Sequence, residues 1–239
     1  MPNPTAAMLV IGDEILSGRT RDSNMNHLAT VLSQRGITLA EARFVPDQTE
    51  AIVTAVNALR LAYDHVFTSG GIGPTHDDIT ADAIALAFGV PISHRADAMA
   101  LLQAHYDRAG VAFNDARQRM ARIPDGAALI DNPVSIAPGF SLGNVHVMAG
   151  VPRIFEAMLA GVLAGITGGA PLLSQSLRVD RGEGEIAASF KALAEEYPEL
   201  SMGSYPFQQN GAFGTNLVIR GTDPAMLDAA MIKLQRLFG

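Results

Sequence analysis

The chain has 239 residues, 48% hydrophobic and 17% charged, with a net charge of -7 and no cysteine. That length supports one full domain and a small second one. The missing cysteines exclude disulfides, thiolate nucleophiles and cysteine-based zinc sites. An acidic chain without a Lys/Arg run argues against nucleic acid as a partner. With 6% aromatic residues and no Trp, aliphatic side chains must build the core. The start, Met1-Pro-Asn-Pro-Thr5, has no basic leader region. The most membrane-like stretch, Met158 to Ile166, is far short of the roughly 20 apolar residues that span a bilayer. The expectation is a soluble cytoplasmic protein with no membrane partner.

Ala6 to Ile11 is an apolar run without a cap and reads as a buried strand. Gly12 to Gly18 reads as a loop, and Asp22 as the cap of a helix that runs to Arg35 and stops at Gly36. Ile37 to Val45 is a second strand. Asp47-Gln-Thr-Glu50 has the form of a capping box, followed by a helix with Ile52, Val53, Val56 and Leu59 inward. His65 to Ser69 is a third strand, and Ala81 to Phe88 a helix ended by Gly89. Two further helices, Ala96 to Ala109 and Asn114 to Arg122, flank Gly110, and a solvated helix face accounts for Arg117, Arg119 and Arg122. Short strands at Ala127 to Ile130, Gly139 to Leu142 and Val145 to Met148 follow, the last two joined as a hairpin. Pro152 opens a helix to about Leu163.

Repeated strand-helix-strand units predict an α/β domain: three layers, with a mostly parallel sheet covered by helices on both faces. Its expected span is residues 1–167. After the linker Thr167-Gly-Gly-Ala-Pro171 the pattern changes to a strand, a helix, two strands and a helix. That is a small α+β domain over 171–239, too small to bury much by itself, so self-association into a homo-oligomer is expected.

The most informative segment is Thr68-Ser-Gly-Gly-Ile-Gly-Pro-Thr-His-Asp-Asp-Ile-Thr80. Gly70, Gly71 and Gly73 let a backbone turn approach a ligand with no Cβ in the way. Thr75 or Asp77 can cap the following helix, whose N-terminus attracts anions. Asp77 and Asp78 put two acids beside that cradle, which points to a phosphorylated ligand held partly through a divalent cation. In a parallel sheet ligands bind beyond the carboxyl ends of the strands, so Gly12-Asp13-Glu14, after the first strand, should face the same crevice. A third stretch, Asn132-Pro-Val-Ser-Ile-Ala-Pro-Gly-Phe140, is an extended loop in which Ser135, Pro138 and Gly139 are candidates for ligand contact. Ala149-Gly-Val-Pro152 starts a helix. His76 reads as a proton shuttle or a metal ligand, or else as an exposed loop histidine. The remaining histidines, His65 and His146 among them, show no metal-ligand spacing and are assigned to surfaces or core edges.

These stretches resemble the molybdopterin-binding-like domain of molybdenum cofactor biosynthesis proteins. The Gly-Gly-x-Gly-Pro-Thr-x-Asp-Asp-x-Thr run, together with Gly12-x-Glu14-Ile-Leu-x-Gly18, places the chain nearest the branch of competence/damage-inducible protein A and the N-terminal domain of eukaryotic FAD synthase. Ser135 stands where that family usually has glycine, and Ala149 where it usually has proline. The resemblance implies a metal-dependent pyrophosphatase acting on ADP-ribose or FAD-like dinucleotides. Its divalent cation (Mg, Mn or Co) would be held by Asp77, Asp78, Glu14 and Asp13, with potassium as a further cation. The alternatives are a molybdopterin-binding protein of cofactor assembly, by adenylyl transfer or as a carrier, and a non-catalytic regulatory module of the same fold. Asp77, Asp78 and Glu14 are the expected catalytic acids. Gly70, Gly71, Gly73, Thr75, Gly12, Ser135, Pro138 and Gly139 are the expected phosphate or ligand contacts.

Overall fold

A computed structural model describes residues 3–209 and 212–239; Met1 and Pro2, where the first expected domain begins, lie outside them. The chain divides between Gly169 and Ala170 into two compact units.

The first unit is an α/β domain around a six-stranded sheet. Its strands are β1 (Thr5–Ile11), β2 (Thr38–Val45), β3 (His65–Ser69), β6 (Ala128–Ile130), β7 (Gly139–Leu142) and β8 (Val145–Met148), in the order β2-β1-β3-β8-β7-β6. The first four in that order are parallel. The two at the far edge are antiparallel, because the Gly143-Asn144 turn folds β8 straight back on β7. Alternation along β1 builds two cores. Ala7, Leu9 and Ile11 pack with Ile52, Leu59, Ala83 and Leu102, from helices α3 (Thr49–Ala62), α4 (Thr80–Phe88) and α5 (Ala96–Ala109). Ala6, Met8 and Val10 face the other side, against Leu28, Leu32, Phe155 and Leu159 of α2 (Asn24–Gln34) and α7 (Pro152–Ala164). The sheet therefore has helices on both faces. Among the described residues no helix is long and apolar enough to cross a membrane.

Several local expectations are corrected. Gly12 to Gly18 is not an open loop, since Asp13–Leu16 forms one helical turn, α1. The capping box is absent: Gln48 occupies the N-cap of α3 without a side-chain bond, and the Asp47 carboxylate accepts the amide of Asp13 instead. Neither Thr75 nor Asp77 caps α4, whose N-cap is Ile79 with no side-chain bond. The expected helix over 114–122 is only α6 (Asp115–Gln118) and a 3₁₀ turn, after which Arg122–Pro124 (β5) pairs with Ile92–His94 (β4) in a two-stranded ribbon. Three residues per strand give too little alternation to register in the sequence.

The second unit has an antiparallel sheet, in which β11 (Ala212–Gly221) lies between β10 (Ser201–Gln209) and β9 (Leu173–Val179). Helices α8 (Glu183–Glu196) and α9 (Pro224–Phe238) contribute Ile186, Phe190, Leu227 and Leu234 to a separate core with Leu217 and Ile219.

Candidate functional site

Three neighbouring parallel strands, β1, β3 and β8, end at one edge of the sheet, and the turns after them enclose a cavity of about 490 Å³. Glu14 comes from the turn after β1, Gly70 to Pro74 and Asp78 from the turn after β3, and Gly150 to Pro152 from the start of α7. Asn132, Ser135 and Ala137 close the wall from the loop before β7.

The glycines are dictated by contact. Gly70 has φ +111°, and a Cβ there would lie 2.1 Å from the Ile11 carbonyl oxygen. Gly71 has φ +68°, and a Cβ would meet Thr80 Oγ1 at 2.2 Å. A Cβ on Gly73 would lie 2.7 Å from Asp78 Oδ2, so this glycine leaves room for the carboxylate. The Gly70 amide donates to the Met148 carbonyl at 3.1 Å, which removes it from the expected set of ligand donors. The amides of Gly71, Ile72 and Gly73 donate to no described residue.

Two residues expected to touch ligand instead shape the wall. Gly139 is buried at the start of β7, and a Cβ on it would strike the Val147 carbonyl oxygen and Met158 Cε at 2.3 and 2.4 Å. Gly12 leaves space for Glu14, whose carboxylate would lie 2.5–2.8 Å from a Cβ there. Pro138 lines a smaller recess with Asp78, Arg119 and Arg122. Ser135 does line the main cavity. Its Oγ accepts from Asn132 Nδ2 at 2.7 Å, so its own proton is available to a ligand. Asn132 pins the whole loop. Its Oδ1 accepts the amides of Val134 and Ser135, both at 3.1 Å, and its Nδ2 also reaches the Ala137 carbonyl at 2.8 Å. Within that loop Ile136 has φ +69°, a conformation a β-branched residue adopts only under constraint.

The acids separate into inner and outer groups. Glu14 and Asp78 line the cavity. Asp13 and Asp77 are exposed and are not part of its wall. Among the described residues no three acidic, histidine or cysteine side chains converge to hold a metal, so the expected four-carboxylate set does not form a ready cage. Thr75 sits between the paired aspartates. Its Oγ1 is 2.5 Å from Asp77 Oδ1 and 2.6 Å from Asp78 Oδ2, and its amide donates to Asp78 Oδ2 at 2.8 Å. The Thr75 hydroxyl, and then Asp77's own amide, hold the Asp77 carboxyl below the usual range. His76 is exposed and outside the cavity wall.

Sequence reasoning gave two contributors other roles: Asp47, at the strand end nearest the crevice, as a helix cap, and Arg119 as part of a solvated face. Asp47 Oδ2 accepts the Asp13 amide at 2.9 Å, which fixes the turn carrying Glu14. Partial burial raises the Asp47 carboxyl, the charges of Asp13, Glu14 and Asp77 add to the rise, and the Asp13 amide opposes it. The acidic residue at the end of β2 was the available signal, but its capping pattern concealed it. The second contributor is Arg119. Its Nε and Nη2 donate to the Asp78 carbonyl at 3.3 and 3.1 Å, and its Nη2 lies 3.8 Å from Asp82, which Arg122 also pairs. These arginines are therefore not a solvated face. They brace the acidic loop from behind.

Residues 7–172 match the family described as "Probable molybdopterin binding domain", and residues 171–239 match "FAD synthase, middle domain". The chain is 39% identical over 167 residues to a CinA-like protein of Citrifermentans bemidjiense, covering 68% of this chain and 40% of that protein. It is 30% identical over 257 aligned positions to a probable FAD synthase of Caenorhabditis elegans, covering 98% of this chain and 50% of that one. The chain thus spans half or less of the length of these two relatives. The crystal structure of the protein CinA from Thermoplasma acidophilum superposes with a TM-score of 0.62 at 32% identity, over 67% of this chain and 96% of that one.

Proposed function

The chain belongs to the family of the probable molybdopterin binding domain, and from that premise we propose that its cavity is a metal-dependent pyrophosphatase site for ADP-ribose or FAD-like dinucleotides. The observation that carries this reading is the convergence of Glu14, Asp78 and the free amides of Gly71 to Gly73 on one cavity of about 490 Å³, a volume within the range of small-molecule sites. Amides alone would bind a phosphate monoester. Amides opposed by carboxylates call for a cation between acid and phosphate.

The donor set fits a hard divalent cation. Every candidate is a carboxylate or hydroxyl oxygen, and Mg²⁺ is commonly held by one or two carboxylates plus substrate phosphates rather than by an all-protein cage. Asp78 and Asp77 would hold the cation, and Glu14 is the other acid of the cavity wall. When bound it neutralises phosphate charge and lowers the pKa of water.

The chain's own residues do the rest. The amides of Gly71, Ile72 and Gly73 bind the phosphate oxygens and stabilise the charge that develops on them. Glu14 accepts the proton of the attacking water. The new bond forms between that water's oxygen and phosphorus, and the anhydride P–O bond breaks, with its electron pair leaving on the departing phosphate. The Ser135 hydroxyl, also in the wall, donates its free proton to the ligand. The alignment with the probable FAD synthase, which covers nearly the whole chain, supports a dinucleotide as the ligand.

The test is incubation of the purified chain with ADP-ribose or FAD and Mg²⁺, Mn²⁺ or Co²⁺, following AMP by chromatography. Metal-dependent AMP release is the expected result. No turnover together with tight molybdopterin binding would replace this reading with a role in molybdenum cofactor assembly. No turnover and no ligand would leave a regulatory module.

A further inference from the structure

The two edges of the six-stranded sheet differ. At one edge, β6 is three residues long, too short to template another strand. At the other, β2 runs for eight residues, and among the described residues it pairs only with β1. It contains neither proline nor lysine, and Ala40, Ala42 and Phe44 are exposed, Phe44 to 40%. Edge strands are commonly blunted by such residues, by a bulge or by a cover, because their free backbone groups pair readily with another chain. The one irregularity of β2 lies near its start, where the register with β1 skips Ala40. From Glu41 to Val45 the ladder is regular.

Backbone direction fixes which groups are free. The Val45 carbonyl accepts from the Gly12 amide at 3.1 Å, on the β1 side. In a parallel ladder each residue turns its N–H and C=O to the same neighbour, and successive residues alternate. Glu41 and Arg43 therefore face β1, and Ala42 and Phe44 face outward. No described loop or side chain bonds to the backbone of Ala42 or Phe44.

We propose that this edge pairs with β2 of a second copy of the chain, antiparallel, about a two-fold axis at Ala42. The two Ala42 residues then exchange both N–H···O=C bonds. The same register sets Glu41 opposite Arg43 of the second copy, and Arg43 opposite its Glu41, in the close positions of the ladder where cross-strand side chains interact. Phe44 falls opposite the small Ala40. Within one chain Arg43 Nε donates to Glu41 Oε1 at 2.5 Å, and the Tyr63 hydroxyl donates to Glu41 Oε2 at 2.8 Å, so both charged groups are already held on one face of the strand. Glu41-Ala42-Arg43 is self-complementary about its centre. A parallel pairing would set Glu41 on Glu41 and Arg43 on Arg43, and a two-residue slip would bring one such like pair together. Charge thus selects both orientation and register. The contact is isologous and uses up both free edges, so it closes and does not propagate.

The test is sedimentation equilibrium of the full chain at micromolar concentration. The wild type is expected at twice the chain mass or an even multiple of it. Ala42→Pro should halve that mass. Its N–H faces outward, so the strand tolerates proline there, and the central bonds of the pair are lost. Glu41→Arg and Arg43→Glu should each weaken association by about ten-fold or more, since each sets like charges opposite one another. An equimolar mixture of these two variants should associate again, as should the double variant Glu41→Arg/Arg43→Glu, because both restore opposite charges across the axis. Mixing cannot repair a misfolded chain, so this rescue isolates the interface, and it decides the matter should the proline variant not fold. A monomeric or odd-numbered wild type overturns the proposal. So does an assembly that survives in a folded Ala42→Pro variant, or that neither charge variant weakens, or that neither the mixture nor the double variant restores.

Discussion

The carboxylate of Asp47 accepts the backbone amide of Asp13 at 2.9 Å across 34 positions of sequence. It thereby ties the end of β2 to the turn that carries Glu14 into the cavity. The bond needs an acceptor but not a charge. Asp47→Asn should therefore keep AMP release within about three-fold of wild type, whereas Asp47→Ala should lose about ten-fold, since loosening a positioned group commonly has effects of that order or larger. Kinetics of the two variants at saturating ADP-ribose and Mn²⁺ check this. Equal losses in both would assign Asp47 a chemical role in place of an orienting one.

The paired aspartates should be unequal. Asp78 lines the cavity, and Asp77 is exposed outside its wall. Asp78→Asn is expected to lower kcat by about 10²-fold or more, in the range seen when a single charge-stabilising group is removed. Asp77→Asn should cost less and should raise the metal concentration needed for half-maximal rate. Melting curves of both variants should stay close to wild type, because neither side chain is in the core.

Gly73 makes a prediction about space. A methyl there would lie 2.7 Å from Asp78 Oδ2, so Gly73→Ala must displace the carboxylate or the loop. Activity should fall by at least ten-fold with little loss of stability, because both residues are only partly buried and neither is in the core. An active Gly73→Ala variant would show that the position of Asp78 is not critical.

His146 supplies a test at the opposite end of β8 from the site. It is 8% exposed, with Ser141 Oγ at 2.9 Å from Nδ1 and His65 Nδ1 at 3.5 Å from Nε2. Burial lowers its pKa from 6.5 to about 4, and the neighbouring His65 adds to the shift. Between those values the unfolded chain binds the proton and the folded chain does not, so stability rises with pH. It is fully present above about 6.5 and is lost as pH falls toward 4, by on the order of 3 kcal/mol. His146→Gln should flatten the melting temperature of the chain between pH 7 and pH 4.5 relative to wild type.

Most of the sheet and its helices could be read from periodicity, because β1 alternates between two cores and Gly36, Gly89 and Gly110 stop their helices in the left-handed conformation. The meeting of Glu14 with the Gly70 to Asp78 turn followed from the parallel topology, which puts successive turns at one edge. What the sequence concealed depends on distant partners. Asp47 has the pattern of a cap, but tertiary contact with Asp13 claims its carboxylate. Arg119 and Arg122 look like a solvated face until Asp82 and the Asp78 carbonyl are brought beside them. Likewise, no pattern along the chain separates Gly73, which clears space for an acid, from Gly139, which clears space for a neighbouring strand.

Ile136, held at φ +69° inside the Asn132 loop, has an implication for engineering this protein. A glycine there would relax the backbone, but it would also remove a side chain packed against the first core. The relaxed loop would aim the Ser135 hydroxyl less firmly, so this one position sets backbone strain against packing and the aim of a hydroxyl.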